Sequence, residues 1–165
     1  MEFKNRINFS SNNAEQNKMA FEQIVQKLLN RFSPGYIIAG YTSKSHRKFL
    51  ISRTASVVYR DALFILQESL QGWLDLNKDN FDFTKGVEDD FYQIDINTLN
   101  SVSKVEDGLQ ILRSITSGFN VAGYFNNQKE IFNYAANPAM GDSISMMYSC
   151  MQETWINYLN HEKET

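Results

Sequence analysis

Apolar residues recur at helical spacing along most of this chain. From Asn12 to Phe32 they fall at Met19, Phe21, Ile24, Val25, Leu28, Leu29 and Phe32, the spacing of one face of an amphipathic helix. Ser10, Ser11 or Asn12 can cap its start, and Pro34-Gly35 stops it. A second such pattern runs from Ser101 to Thr116, with Val105, Leu109, Ile111, Leu112 and Ile115. There Ser103 and Glu106 stand at capping-box spacing and Gly118 closes the end. Two longer helices are predicted. The first covers Ser56 to Leu76, with Val58, Ala62, Ile65, Leu66, Ser69 and Trp73 on one face. The second covers Asp142 to Asn160, with Ile144, Met147, Tyr148, Met151, Trp155 and Tyr158. Shorter helices are read at Ser45 to Ser52 and at Gln128 to Ala136, the latter ended by Asn137-Pro138. The apolar runs Tyr36 to Tyr41 and Phe119 to Tyr124 read as brief strands or tight connectors. Ile7/Phe9 and Ile94/Ile96 alternate with polar residues, which permits a short strand before each first helix.

The order of these elements is matched by the residues themselves. Gly35-Tyr36-Ile37-Ile38-Ala39-Gly40-Tyr41 returns as Gly118-Phe119-Asn120-Val121-Ala122-Gly123-Tyr124, and Leu66-Gln67-Glu68-Ser69 resembles Met151-Gln152-Glu153-Thr154. Self-similarity at a fixed period implies a repeated architectural unit. The expected fold is therefore mainly α: an internally duplicated, pseudo-symmetric helical bundle with short N-terminal strands in each half, and an α+β arrangement as the alternative. The chain, residues 1–165, reads as one compact domain of two repeats, about 1–80 and 90–165, joined by a polar linker at 77–90. Small residues recur at Ala39-Gly40 and Ala122-Gly123, which points to close backbone contact at both places.

Charge changes this picture little. Residues 1–83 carry 11 Lys and Arg against 8 Asp and Glu, whereas residues 84–165 carry 5 against 11. Halves of opposite sign favour docking against each other. A net charge of −3 argues against general nucleic-acid binding, which needs a basic surface. No apolar run approaches the length of a membrane span, and no signal-peptide pattern opens the chain. The expected location is cytoplasmic. Cys150 is the single cysteine, so no intrachain disulfide can form.

No catalytic or cofactor motif stands out. Gly35 to Gly40 lacks the Lys and Ser/Thr of a phosphate-binding loop. His46, His161 and Cys150 lack metal-ligand spacing, so no metal and no cofactor is assigned. Cys150, between apolar neighbours, reads as an inert buried thiol. Glu88-Asp89-Asp90 reads as solvated linker, and the recurring Gln67-Glu68 and Gln152-Glu153 read as helix-surface contacts. The sharpest polar cluster is residues 43–48, where a helix start and cations offer an anion site. His46, Arg47, Arg53 and Arg60 are the anion or ligand candidates. Met140, Met146, Met147 and Met151 fall close together, and flexible thioethers suit adaptable binding surfaces. Met146, Met147, Tyr148, Met151 and Trp155 are accordingly the partner-surface candidates. The leading functional expectation is a non-enzymatic protein–protein interaction module: a small adaptor, chaperone or inhibitor. Its partner would be another protein, neither nucleic acid nor membrane, with a homo-oligomer left open. The alternatives are a small-ligand or nucleotide binder using the cleft between halves, and an enzyme of unreadable type.

Overall fold

The structure is a computed structural model and describes residues 6–7, 14–76 and 94–164. In chain order it comprises β1 (Arg6–Ile7), α1 (Ala14–Leu29), β2 (Gly35–Thr42), β3 (Lys48–Thr54), a 3-10 turn (Val57–Tyr59) and α2 (Arg60–Leu76). There follow β4 (Ile94–Asp95), α3 (Ile96–Ser101), α4 (Val105–Ile115), β5 (Thr116–Phe125), β6 (Gln128–Ala135) and α5 (Pro138–Glu164). The four long strands form one antiparallel sheet in the order β3-β2-β5-β6, and β1 pairs with β4.

This corrects the expected duplicated helical bundle: the fold is α+β. The two matching Gly-to-Tyr blocks are not parts of separate helical units. They are the central strands β2 and β5, side by side, with Tyr36 paired to Gly123 and Gly40 to Phe119. Helices cover both faces of the sheet. On one face Tyr36, Ile38, Phe119 and Val121 pack against α1 and α4 through Phe21, Ile24, Leu28, Leu109 and Leu112. On the other, Ile37, Ala39, Ala122 and Tyr124 pack against α2 and α5 through Leu63, Leu66, Met147 and Met151. A strand buried on both faces carries apolar residues on both, so its sequence loses the apolar–polar alternation. That is why both central strands read equally well as connectors.

The short helices expected at Ser45 to Ser52 and Gln128 to Ala136 are the edge strands β3 and β6 with part of their turns. In β3, Phe49 and Ile51 are buried while Lys48 and Leu50 are half-buried, the two-residue period of a strand. Asn126 and Asn127 both take positive φ, 56° and 64°, and Phe125 pairs with Gln128. Two such residues form the tight turn whose twist matches a hairpin, and Asn tolerates this backbone better than most residues. Asn137-Pro138 starts a helix rather than ending one. Pro138 is the first residue of α5, where a missing N–H costs nothing, and Asn137 Oδ1 accepts from Met140 N at 3.0 Å. At α4 the residue before the helix is Lys104, without a side-chain cap bond, so the Ser103–Glu106 capping box does not form. Asp95 accepts from Asn97 N at 2.8 Å, which turns the strand expected at Ile94/Ile96 into α3 after two residues.

The glycines of the central strands sit where neighbouring backbones nearly touch. A Cβ on Gly40 would overlap the Gly118 carbonyl oxygen and lie 2.8 Å from Phe119 Cα; one on Gly123 would lie 2.6 Å from the Gly35 oxygen. The expected linker, 77–90, lies outside the described residues. Among the described residues, no helix is long and apolar enough to cross a membrane.

Candidate functional site

The β2–β3 turn holds two of the four anion candidates. Residues 43–47 form no helix start; they close a hairpin. Thr42 N donates to Arg47 O at 2.9 Å, and Arg47 N donates back to Thr42 Oγ1 at 2.9 Å. His46 takes φ 57°, the left-handed backbone a tight turn requires. Its Nδ1 lies 2.7 Å from Ser117 Oγ, and Ser117 Oγ lies 2.9 Å from the Thr42 carbonyl oxygen. A carbonyl oxygen only accepts, so the single Ser117 hydroxyl proton points at Thr42. His46 Nδ1 must then donate to Ser117 Oγ, which places the neutral imidazole's lone pair on Nε2. A histidine that donates to a serine does not deprotonate it, so this pair latches β2 to β5 and is not a nucleophile with its base. Arg47 is buried, with its guanidinium 5.9 Å from the centre of the Phe21 ring.

Arg53 stands at the far end of β3, about 17 Å along the strand from the turn. Its Nη1 donates to Asn30 O at 3.2 Å. The same asparagine accepts from the Tyr36 hydroxyl at 2.7 Å. Burial pushes that hydroxyl up to about 12, with the Arg53 charge acting weakly in the opposite sense. Arg60 is exposed at the first residue of α2. The structure therefore does not bring His46, Arg47, Arg53 and Arg60 together into one anion site.

The methionine helix divides. Met147, Met151 and Trp155 are buried in the core between α5 and the sheet, so they offer a partner nothing. Tyr148 is half-buried and its hydroxyl accepts from Gln152 Nε2 at 2.9 Å. Met146 alone of the five is exposed, at 52%. It lines a shallow groove of about 400 Å³ with Trp73, Ser145, Ser149, Cys150 and Glu153. Beneath that groove the seam between α2 and α5 is polar. Ser69 Oγ lies 3.0 Å from Cys150 Sγ and 2.8 Å from Thr154 Oγ1. Cys150 is half-buried rather than enclosed. Glu68 and Glu153 both face solvent, and Gln67 Oε1 accepts from Ser52 Oγ at 3.0 Å. Among the described residues, no group of three or more His, Cys, Asp or Glu side chains is placed to hold a metal ion.

Two features escaped the sequence. Asn120 is fully buried in β5, and its Nδ2 donates to Ile144 O at 2.8 Å, pinning α5 to the sheet. The more consequential one is the outer face of α2 and its preceding turn. Tyr59, Ala62, Leu63 and Leu66 point inward; Tyr59 stacks on Tyr124 at 3.6 Å. Val57 and Val58 of the 3-10 turn are exposed, as are Arg60, Asp61, Phe64, Ile65 and Glu68 of α2, and at 100° per residue these five α2 residues share one face of about 140°. Exposure reaches 74% at Val57, 81% at Val58, 57% at Phe64 and 42% at Ile65. The sign in the sequence is a helix apolar around more of its circumference than a core stripe needs. Comparison with family models, with curated proteins and with solved structures returned no match.

Proposed function

We propose that this chain is a protein-binding module that docks through the outer face of α2. One observation carries the reading. Four large apolar side chains are exposed within nine residues, Val57 to Ile65, two in the 3-10 turn and two in the first turns of α2. Single exposed apolar residues are ordinary on any protein, but contiguous ones mark interaction surfaces. The polar clusters add support from the other side. His46 and Ser117 hold a turn, the arginines are dispersed, and Ser69, Cys150 and Thr154 hold two helices together. The His46–Ser117 pair and the Ser69–Cys150–Thr154 cluster are thus used in holding the fold together.

The test compares the immobilised chain with its Phe64→Glu variant. Phe64 faces solvent, so the variant keeps its thermal midpoint. Proteins retained by the parent, a second copy of the chain included, are lost or weakened at least roughly tenfold by a charge at the centre of the face. Equal retention by both proteins would place the binding surface elsewhere and end this reading.

A further inference from the structure

Two rows of exposed residues run beside the seam between α2 and α5. Ser69 and Cys150 mark that seam, with Oγ and Sγ 3.0 Å apart. At 100° per residue, Asp61, Ile65, Glu68, Gly72 and Leu76 fall on the solvent side of Ser69, within an arc of about 80°. Asp142, Met146, Ser149 and Glu153 hold the matching positions beside Cys150 on α5. All of these residues are exposed. The helices run antiparallel, since Ser69 reaches Cys150 and Thr154 whereas Trp73 lines the groove with Ser145 and Met146. The two rows are therefore the facing walls of one groove, about 22 Å long. We infer that this groove receives a basic amphipathic helix of a partner protein. The inference deepens the proposed function and rests on it, because the groove is the α5 side of the same α2 face.

Charge selects the occupant. Asp61, Glu68, Asp142 and Glu153 are carboxylates, and no Lys or Arg stands in either row. The single cation of α2, Arg60, lies half a turn from Ser69, on the side away from the groove. Among the described residues, none of the four carboxylates forms an ion pair within the chain. Ile65, Leu76 and Met146 are exposed between these charges, and Trp73 is half-buried beneath them. The middle of the groove is small: Gly72 and Ser149 stand at the same level, and a Cβ on Gly72 would meet nothing within 4 Å. A third helix can thus approach to the roughly 8–10 Å between axes of packed helices. Its apolar stripe would lie on Ile65, Trp73, Leu76 and Met146, the usual manner of helix-in-groove recognition. Its flanking cations would meet carboxylates on both walls. The same carboxylates repel an anionic membrane, a nucleic acid or an acidic helix. Ser69 and Thr154, 2.8 Å apart, tie the walls together beforehand, so little order is lost on docking. One helix in a shallow groove makes an interface below about 1,200 Å², the class of weak or transient contacts. Dissociation constants on the order of micromolar are therefore expected.

The experiment is fluorescence anisotropy of two labelled helical peptides titrated with the full chain. Each peptide has about 15 residues, enough to span the groove. Both carry one leucine stripe; the remaining positions are lysine in one and glutamate in the other. The lysine peptide should bind, and the glutamate peptide should bind at least about tenfold more weakly. Glu153→Lys reverses a wall charge and Gly72→Phe fills the open middle. Each should raise the dissociation constant of the lysine peptide at least about tenfold. Glu106→Lys, an exposed exchange on α4, is the control and should change it by less than about twofold. All three positions lie on helix surfaces, and thermal midpoints confirm that the variants are folded. No binding of the lysine peptide, equal binding of both peptides, or an equal loss from Glu106→Lys would overturn the groove as a site for a basic helix. If Phe64→Glu still abolished retention of a partner in that event, the α2 face would stand and its partner would bind outside the groove. If it did not, the function proposed above would fall as well.

Discussion

The two helical layers differ in what they show to solvent. On the α1/α4 side, Met19 is the one large apolar side chain exposed among the described residues. The α2/α5 side, with the turn that leads into it, exposes Val57, Val58, Phe64, Ile65, Leu76, Met146 and Ile156. Inward the layers are alike: each buries a continuous apolar cluster against its own face of the sheet. The seam between α2 and α5 is also polar, through Ser69, Cys150 and Thr154. A layer that only had to cover the sheet would need none of its outward apolar residues. The contrast is the reason the proposed contact is placed on the α2/α5 layer.

The sheet shared by both layers should be the most sensitive point. Gly40→Leu forces a side chain into the backbone of β5, which cannot yield as a flexible side chain would. A loss of roughly 3 kcal/mol or more is expected, at the upper end for overpacking, and a urea unfolding curve measures it. An unchanged midpoint would mean the strands separate easily there. Next come matched truncations, one in each layer. Leu28 and Leu70 are both fully buried, so Leu28→Ala and Leu70→Ala should each cost about 2–5 kcal/mol. If Leu70→Ala cost under about 1 kcal/mol, the second layer would be loosely held and its contact role weakened.

Alkaline pH tests the layers separately. Tyr36 lies on the α1/α4 face with its hydroxyl raised to about 12. Tyr41 lies on the other face, bonded to Ser143 at 2.9 Å, and burial raises it too. Between pH 10 and 12 the unfolded chain releases a Tyr36 proton that the folded chain keeps, so stability falls as pH rises. That decline should be on the order of 2 kcal/mol for Tyr36. Tyr36→Phe should flatten the fall in urea midpoint across this window, and an unaltered slope would show that Tyr36 ionises freely in the folded protein. The smallest effect on stability comes from the surface. Met19→Glu and Phe64→Glu should each change stability by less than about 0.5 kcal/mol, yet only Phe64→Glu should reduce protein binding. Equal loss from both would erase the distinction between the layers.

The sequence alone determined where α1, α4 and α5 lie and which stripe each buries. Phe21, Ile24 and Leu28 recur every three or four residues, so α1 could bury only one stripe, and it does. The same holds for Leu109 and Leu112 in α4 and for Met147 and Met151 in α5. Gly40 and Gly123 were also legible as places of close approach, although what approaches them was not. The sheet was decided by the tertiary structure. Ile38 pairs with Val121 across 83 residues of chain, and no local pattern encodes a partner so distant. Strands buried on both faces lose the alternation that would announce them, and Asn126-Asn127 was the sole local sign of the β5–β6 hairpin. The candidate surface was decided in the same way. Periodicity shows that α2 has more apolar residues than one face can hide, but only packing against the sheet settles which are hidden. Leu63 and Leu66 turned inward, and Phe64 and Ile65 were left outside.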